Sequence, residues 1–247
     1  MSVTKRYYST TLGDHLVDTG KPVRTVIRGL GQLLVTIGAM TLLFVAYLIW
    51  GTALRAGDAQ HQLSNELNNE WPAAGAAGHA GAPAPRPDLI HLVTGQPFAF
   101  IRIPAFGAHW RFTIIQGTAL AQLNVSPGHV PGTQLPGQVG NFAVAGHRVT
   151  AGNPFWSLPS LQNGALVYID TKASTYIYQV TGQRTVWPAD TAVLDPVPGH
   201  PGQRATQRII TLITCDPAWT GTHRVIVTGV LVSAAARSSA PAAAAAR

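Results

Sequence analysis

The stretch Ile209–Val227 reads IITLITCDPAWTGTHRVIV and holds the only cysteine of the 247-residue chain. Ile209, Ile210, Leu212 and Ile213 form an apolar, β-branched run, so the spacing predicts a strand that ends at Cys215. Asp216, Pro217 and Gly221 supply turn chemistry, and Arg224, Val225, Ile226 and Val227 begin a second strand. A hairpin with a loop of about eight residues brings Arg224 back towards Cys215. A thiol and a guanidinium then share one strand end.

That pairing has a chemical meaning. A lone cysteine is most often a small buried hydrophobe. Cys215, however, falls at a strand end against a polar turn, where a fixed cation favours thiolate, the form that attacks a carbonyl carbon. Arginine keeps its proton, and its donors suit the oxyanion that develops when an acyl group is attacked. Nine histidines are candidates for a third member. His15, His61 and His79 lie outside the folded domain, which leaves His91, His109, His129, His147, His200 and His223. His147 stands apart because it ends the apolar strand FAVAG at a glycine, from which a side chain can reach the end of another strand. From pattern alone, His129 in its loop and His223 beside Arg224 stay open as alternatives.

The net charge is +7, yet charged residues are 11% of the chain and the basic ones are scattered, which argues against nucleic acid as a partner. From Leu30 to Trp50 the chain carries no charge, about the twenty residues a transmembrane helix requires. Lys5, Arg6, Lys21, Arg24 and Arg28 precede this run, against Asp14 and Asp18, while only Arg55 follows closely. The bias places residues 1–29 in the cytoplasm and everything after Trp50 outside the cell. A cleaved signal peptide has a shorter apolar region and a small-residue cleavage site, and GTALRAGDAQ offers none. An all-round apolar helix in a soluble core would need a larger protein to bury it. A single cysteine outside the cell cannot form an internal disulfide, so its retention is easier to understand if it reacts.

Residues 51–89 are rich in Ala, Gly, Pro and Asn and read as a flexible linker, with Gln60–Glu70 the one part suited to a short helix. Residues 234–247, SAAARSSAPAAAAAR from Ser233 on, read as a disordered tail with nothing to pack. Between them, 90–233 is mainly β. Strands are expected over Phe98–Ile103, Trp110–Gln116, Asn141–Ala145, Ala165–Asp170 and Thr175–Val186, the last as one bent strand or a pair, ahead of the hairpin. Short helices are expected over Thr118–Leu123 and at PFWSL from Pro154. So many short strands punctuated by Pro and Gly imply a β-barrel, since closure removes exposed edges. There is no phosphate-binding loop and no paired metal-ligand spacing, so neither a metal nor a nucleotide cofactor is expected.

Taken together, AGHR (Ala145–Arg148), TLITC (Thr211–Cys215) and HRVIV (His223–Val227) resemble the sortase family of membrane-anchored cysteine transpeptidases. IRIPAFG, TIIQGT, PGHVPGT, NPFWSL and YIYQV follow the family's order, and among its classes the chain looks most like class E, the actinobacterial housekeeping type. The resemblance implies an eight-stranded sortase-type β-barrel with short helices and no cofactor. It implies that Cys215 is the nucleophile, His147 the acid that protonates the leaving amine, and Arg224 the group that orients substrate and stabilises the oxyanion. Thr214 beside the nucleophile, and His129 and Val130 in the loop bordering the groove, would contribute to substrate binding. The implied partners are Gram-positive surface proteins with LPxTG-like signals (LAxTG is frequent for class E), cut between Thr and Gly, and a peptidoglycan-precursor amine that accepts the acyl group.

Val130 departs from the aromatic residue many class E relatives carry, which leaves the choice of Ala or Pro in the signal open. The linker lacks the Asp-Pro-aromatic lid motif of pilin-polymerising sortases, which points to cell-wall anchoring. Free cysteine and histidine titrate near pH 8.5 and 6.5, so thiolate and imidazolium coexist in about a per cent of molecules at neutral pH. The expected enzyme is slow, with a bell-shaped pH profile. The competing readings are an exported cysteine hydrolase and a non-catalytic, membrane-tethered β-domain.

Overall fold

The computed structural model describes residues 20–47, 52–71 and 92–237. The chain divides into two units at Ala46. In the first, α1 (Gly20–Ala46) is one continuous helix. Its segment Arg24–Ala46 is, among the described residues, the one helix long and apolar enough to cross a membrane. At 1.5 Å per residue it is about 35 Å long, against a hydrocarbon layer of about 30 Å. The helix begins ahead of the expected Leu30 because Pro22 lies in its first turn, where a missing N–H costs little. The flanking charges Lys5, Arg6, Asp14 and Asp18, and the outer end at Trp50, lie outside the described residues.

The second unit holds helix α2 (Thr52–Glu70) and eight strands. These are β1 (Pro97–Arg102), β2 (Arg111–Gln116), β3 (Gly128–His129), β4 (Gly140–Ala145), β5 (Leu166–Asp170), β6 (Ser174–Val186), β7 (Arg208–Asp216) and β8 (His223–Ala236). They close into a barrel in the order β1-β2-β3-β4-β7-β8-β6-β5, as the pattern of short strands implied. Two neighbours are parallel, β2 with β3 and β4 with β7. Alternate side chains fill the interior: Ile101 from β1, Ile114 from β2, Phe142 and Val144 from β4, Ile210 and Leu212 from β7, Val225 and Val227 from β8.

Several local expectations change. The short helix α3 (Leu120–Leu123) forms as expected. The segment from Pro154 is a series of turns, with 3-10 geometry only at Leu158–Ser160. β6 is one 13-residue strand, bent by register shifts at Ile177/Tyr178 and Val180/Gly182. The alanines from Ala234 continue β8 to Ala236, where they pair with Ser174, Thr175 and Tyr176. Backbone pairing needs no large side chain, so composition concealed this strand end.

The larger correction concerns the expected linker. Residues 52–70 form α2, which packs on the outside of β1 and β2, while 72–91 lies outside the described residues. Phe100 faces away from the barrel interior and is buried with Leu67 and Trp71 of the helix segment; the Trp71 and Phe100 rings meet edge to face at 5.2 Å. Ala56, Gln60, Leu67 and Trp71 recur at intervals that place them on one helix face. Because Gln60 and Ser64 lie in this stripe and make polar contacts to Thr113, the seam is too polar to announce itself as amphipathic.

Leu67→Ala should lower the unfolding free energy by about 2–4 kcal/mol, whereas Glu66→Ala on the exposed face should change it by less than about 0.5 kcal/mol. Urea titration of both variants checks this; equal, negligible effects would mean that α2 does not belong to the barrel's cooperative unit.

Candidate active site

Parallel pairing decides where the chemistry sits. β4 and β7 run side by side from Gly140↔Arg208 to Ala145↔Ile213, and the Gly146 N–H extends the ladder to Ile213 O at 3.0 Å. Two parallel strands end at the same edge of the barrel, so His147 leaves β4 where Cys215 ends β7. In the antiparallel β7–β8 hairpin Cys215 is the direct register partner of Arg224. The structure therefore brings Cys215, His147 and Arg224 to one edge of the barrel, with Cys215 and Arg224 on the strand face opposite the interior side chains Leu212 and Val225.

Each group is held by specific contacts. Gly146 lies against the Phe155 ring, where an added Cβ would stand 2.8 Å from Cδ2; only glycine fits between β4 and His147. Thr214 Oγ1 donates to Gly146 O at 2.9 Å, which ties the residue before His147 to the residue before Cys215. Arg148 forms an ion pair with Asp216 and donates to Cys215 O at 3.3 Å. The residues that follow His147 and Cys215 are thus clamped together as well. Arg224 Nη1 donates to Gly221 O at 2.7 Å and His223 O at 2.8 Å, so one guanidinium nitrogen closes the hairpin loop while the other two carry further donors.

Cys215 is half-buried. Gly221 lies beside it: a Cβ there would stand 3.7 Å from Sγ, in ordinary contact with the thiol. His147 Nε2 lies 3.2 Å from Asn124 Oδ1, and burial lowers the imidazole pKa below its ordinary 6.5. A half-buried thiol, an imidazole and a guanidinium on neighbouring strand ends are the groups an acyl transfer through a thioester requires.

The Sortase domain pattern matches residues 101–232, more than half of the chain. The chain belongs to the sortase family. It is similar to sortase SrtE1 of Streptomyces coelicolor, 32% identical over 88% of this chain and 61% of that protein, so it spans less than two thirds of that relative's length. Among solved structures it resembles sortase E of Streptomyces avermitilis, 38% identical, with 58% of this chain and 93% of that one covered at a TM-score of 0.53. It also resembles sortase E1 of Streptomyces coelicolor with a tripeptide in its active site, 32% identical, with 60% and 94% covered at a TM-score of 0.55. These relatives belong to class E.

Two residues expected to touch substrate in this sortase, His129 and Thr214, are buried. His129 is 1% exposed; its ring lies between Phe98 and Phe142, Nδ1 is 2.6 Å from Gln116 Oε1, and Nε2 is 3.0 Å from Thr133 Oγ1 and 3.1 Å from Gln134 O. It belongs to the core, because its parallel pairing with Gln116 at the end of β2 pulls the loop inward. Thr214 is buried, with its hydroxyl committed to Gly146. Val130 remains half-buried at the loop, its N–H bonded to Ala143 O at 2.9 Å. His223, the other open alternative, lies against Trp187 with the rings tilted at 37° and their centroids 4.1 Å apart.

Sequence reasoning missed Asn124, Arg148 and Asp216. Arg148 and Asp216 each follow a singled-out residue directly, and parallel strands ending together would have predicted their meeting. Asn124 had no such signal, because its approach to His147 is purely tertiary.

Burial lowers the His129 pKa from 6.5 to about 4. The unfolded chain binds this proton more tightly, so the stability that neutral His129 contributes is complete above pH 6.5 and is lost as pH falls through about 4. The loss amounts to about 3 kcal/mol. Urea midpoints should fall over that window in the wild type and more shallowly in His129→Gln; parallel slopes would contradict the burial argument.

Proposed function

We propose that this sortase is a membrane-anchored cysteine transpeptidase that cuts LAxTG- or LPxTG-like sorting signals between Thr and Gly. One observation carries the reading: Cys215 stands opposite Arg224 across one ladder and shares a strand edge with His147 across the other. Cys215 thiolate attacks the Thr carbonyl, and the oxyanion forms beside Arg224, whose unused donors stabilise it. Imidazolium at His147 gives its proton to the departing Gly amine. An amine of a peptidoglycan precursor then attacks the thioester, transfers its proton to His147 and takes the acyl group, regenerating the Cys215 thiolate and the His147 imidazolium.

The burial of His147 disfavours the imidazolium that the first step needs, which fits a slow enzyme. A peptide substrate is supported by the Streptomyces coelicolor relative, which was solved with a tripeptide in its active site. Val130 borders the groove and bears on the second residue of the signal. Thr214 and His129 shape the site from behind through their buried bonds. α1 is the membrane anchor, with the amino terminus in the cytoplasm and the barrel outside the cell, facing a lipid-linked acceptor. The anchored substrates are surface proteins that end in the signal.

Full-length protein in detergent, incubated with LAxTG and LPxTG peptides and an amine acceptor, should yield the ligated peptide cut after Thr. Cys215→Ala should yield none, and Arg224→Ala should lower kcat/KM by about a hundredfold or more. Cleavage with no ligated product at saturating amine would assign a hydrolase instead. Product formation by Cys215→Ala would overturn the role of the thiol.

A further inference from the structure

The anchor-side helix α2 bears on the site as well as on stability. β2 loses its neighbour ahead of Ile115, because β3 pairs only with Ile115 and Gln116. Gln60 of α2 fills this gap: its Oε1 accepts from the Thr113 N–H at 2.9 Å and its Nε2 donates to Val125 O at 3.1 Å. Ser64 adds a bond to Thr113 Oγ1 at 3.2 Å. One glutamine fork therefore joins the wall of the barrel to the turn after α3. Asn124 sits in that turn, with Oδ1 3.2 Å from His147 Nε2.

The same helix also reaches the loop that follows His147. Ala151, Gly152 and Asn153 all have positive φ, at 54°, 76° and 44°, a run that needs outside support where the residues are not glycine. Ala56 of α2 is buried there, 3.6 Å from where a Gly152 Cβ would stand. The Phe155 N–H ties this loop back to His147 O at 3.1 Å. α2 thus braces both the turn that bonds the imidazole and the loop that follows it.

We propose that α2 is a strap that positions the active site: through Gln60 it fixes the turn carrying Asn124, and Asn124 fixes the orientation and tautomer of His147. A carbonyl oxygen has no proton to give, so Nε2 carries one, and Nδ1 is the nitrogen that takes up and gives the catalytic proton. Gln60 and Asn124 are positioning residues. The proposal rests on His147 as general acid for its effect on rate, but not for its effect on the ring.

The test uses full-length protein with 15N-labelled histidine, comparing wild type, Asn124→Ala, Asn124→Asp and Gln60→Glu. Gln60→Glu keeps the acceptor for Thr113 and replaces only the donor to Val125, so the helix stays docked while the turn is released. The other charged and titratable groups near the ring, Arg148 paired with Asp216, and Cys215 opposite Arg224, are unaltered throughout.

Wild type should show neutral His147 as the Nε2–H tautomer. Asn124→Ala and Gln60→Glu should show mixed tautomers, and Asn124→Asp should raise the His147 titration midpoint. Acylation should fall about tenfold in kcat for Asn124→Ala, and less for Gln60→Glu, with KM within about twofold. His147 signals in Asn124→Ala and Gln60→Glu that superimpose on wild type would overturn the proposal. The tautomer needs no turnover to be read, so a wild type that does not acylate would sink the transpeptidase reading and leave the strap standing.

Discussion

Parallel pairing of β4 with β7 is the constraint on which the rest of this molecule depends. Antiparallel neighbours would put the ends of these strands at opposite edges of the barrel. Parallel ones put both carboxyl ends together, and six register pairs from Gly140↔Arg208 to Ala145↔Ile213 hold them there. The hairpin of β7 with β8 then adds Arg224 by local geometry. A parallel pair cannot be joined by a tight turn, so the chain between β4 and β7 must travel through β5, β6 and a long crossing connection. That connection is tied down by Asn141, whose Nδ2 donates to Val193 O and Asp195 O while its Oδ1 accepts from Thr211. One buried amide in β4 thus closes the route that makes the parallel pair possible.

Around this pair the structure repeats one device, a bond between the residue beside His147 and the residue beside Cys215. Gly146 is bonded to Ile213 and Thr214, and Arg148 to Cys215 and Asp216. Reacting groups on different strands need relative positions fixed to a fraction of an ångström, and backbone ladders supply that rigidity better than loops do. The His147 side is the weaker half, since a loop with three positive-φ residues follows it. The docking of α2 against that half is intelligible on these grounds.

The hairpin was legible from sequence because its signal is local: an apolar run, a turn, and a second run, with Cys215 and Arg224 at the facing ends. His147 was legible as a strand end next to glycine, and the family resemblance rested on the same residues. What escaped had no local period. β3 is two residues inside a Pro/Gly loop, and Gly128 and His129 acquire strand geometry only from pairing with β2 and β4. For the same reason His129 looked like a loop residue facing the groove and is a core residue. Thr214, next to Cys215, looked available to substrate because nothing in a pentapeptide says which way its hydroxyl turns. Gln60–Glu70 was legible as a short helix, but its start at Thr52 and its docking on the barrel escaped because the stripe mixes Gln60 and Ser64 with Leu67 and Trp71.

Whether Cys215 carries the acyl group is read by intact and peptide-level mass spectrometry of the protein incubated with a sorting-signal peptide and no acceptor. A thioester should appear on the peptide that contains Cys215, with the signal truncated after Thr, and should discharge when an amine is added. Cleaved peptide with Cys215 unmodified and still open to alkylation, or an adduct on another residue, would contradict that role for Cys215.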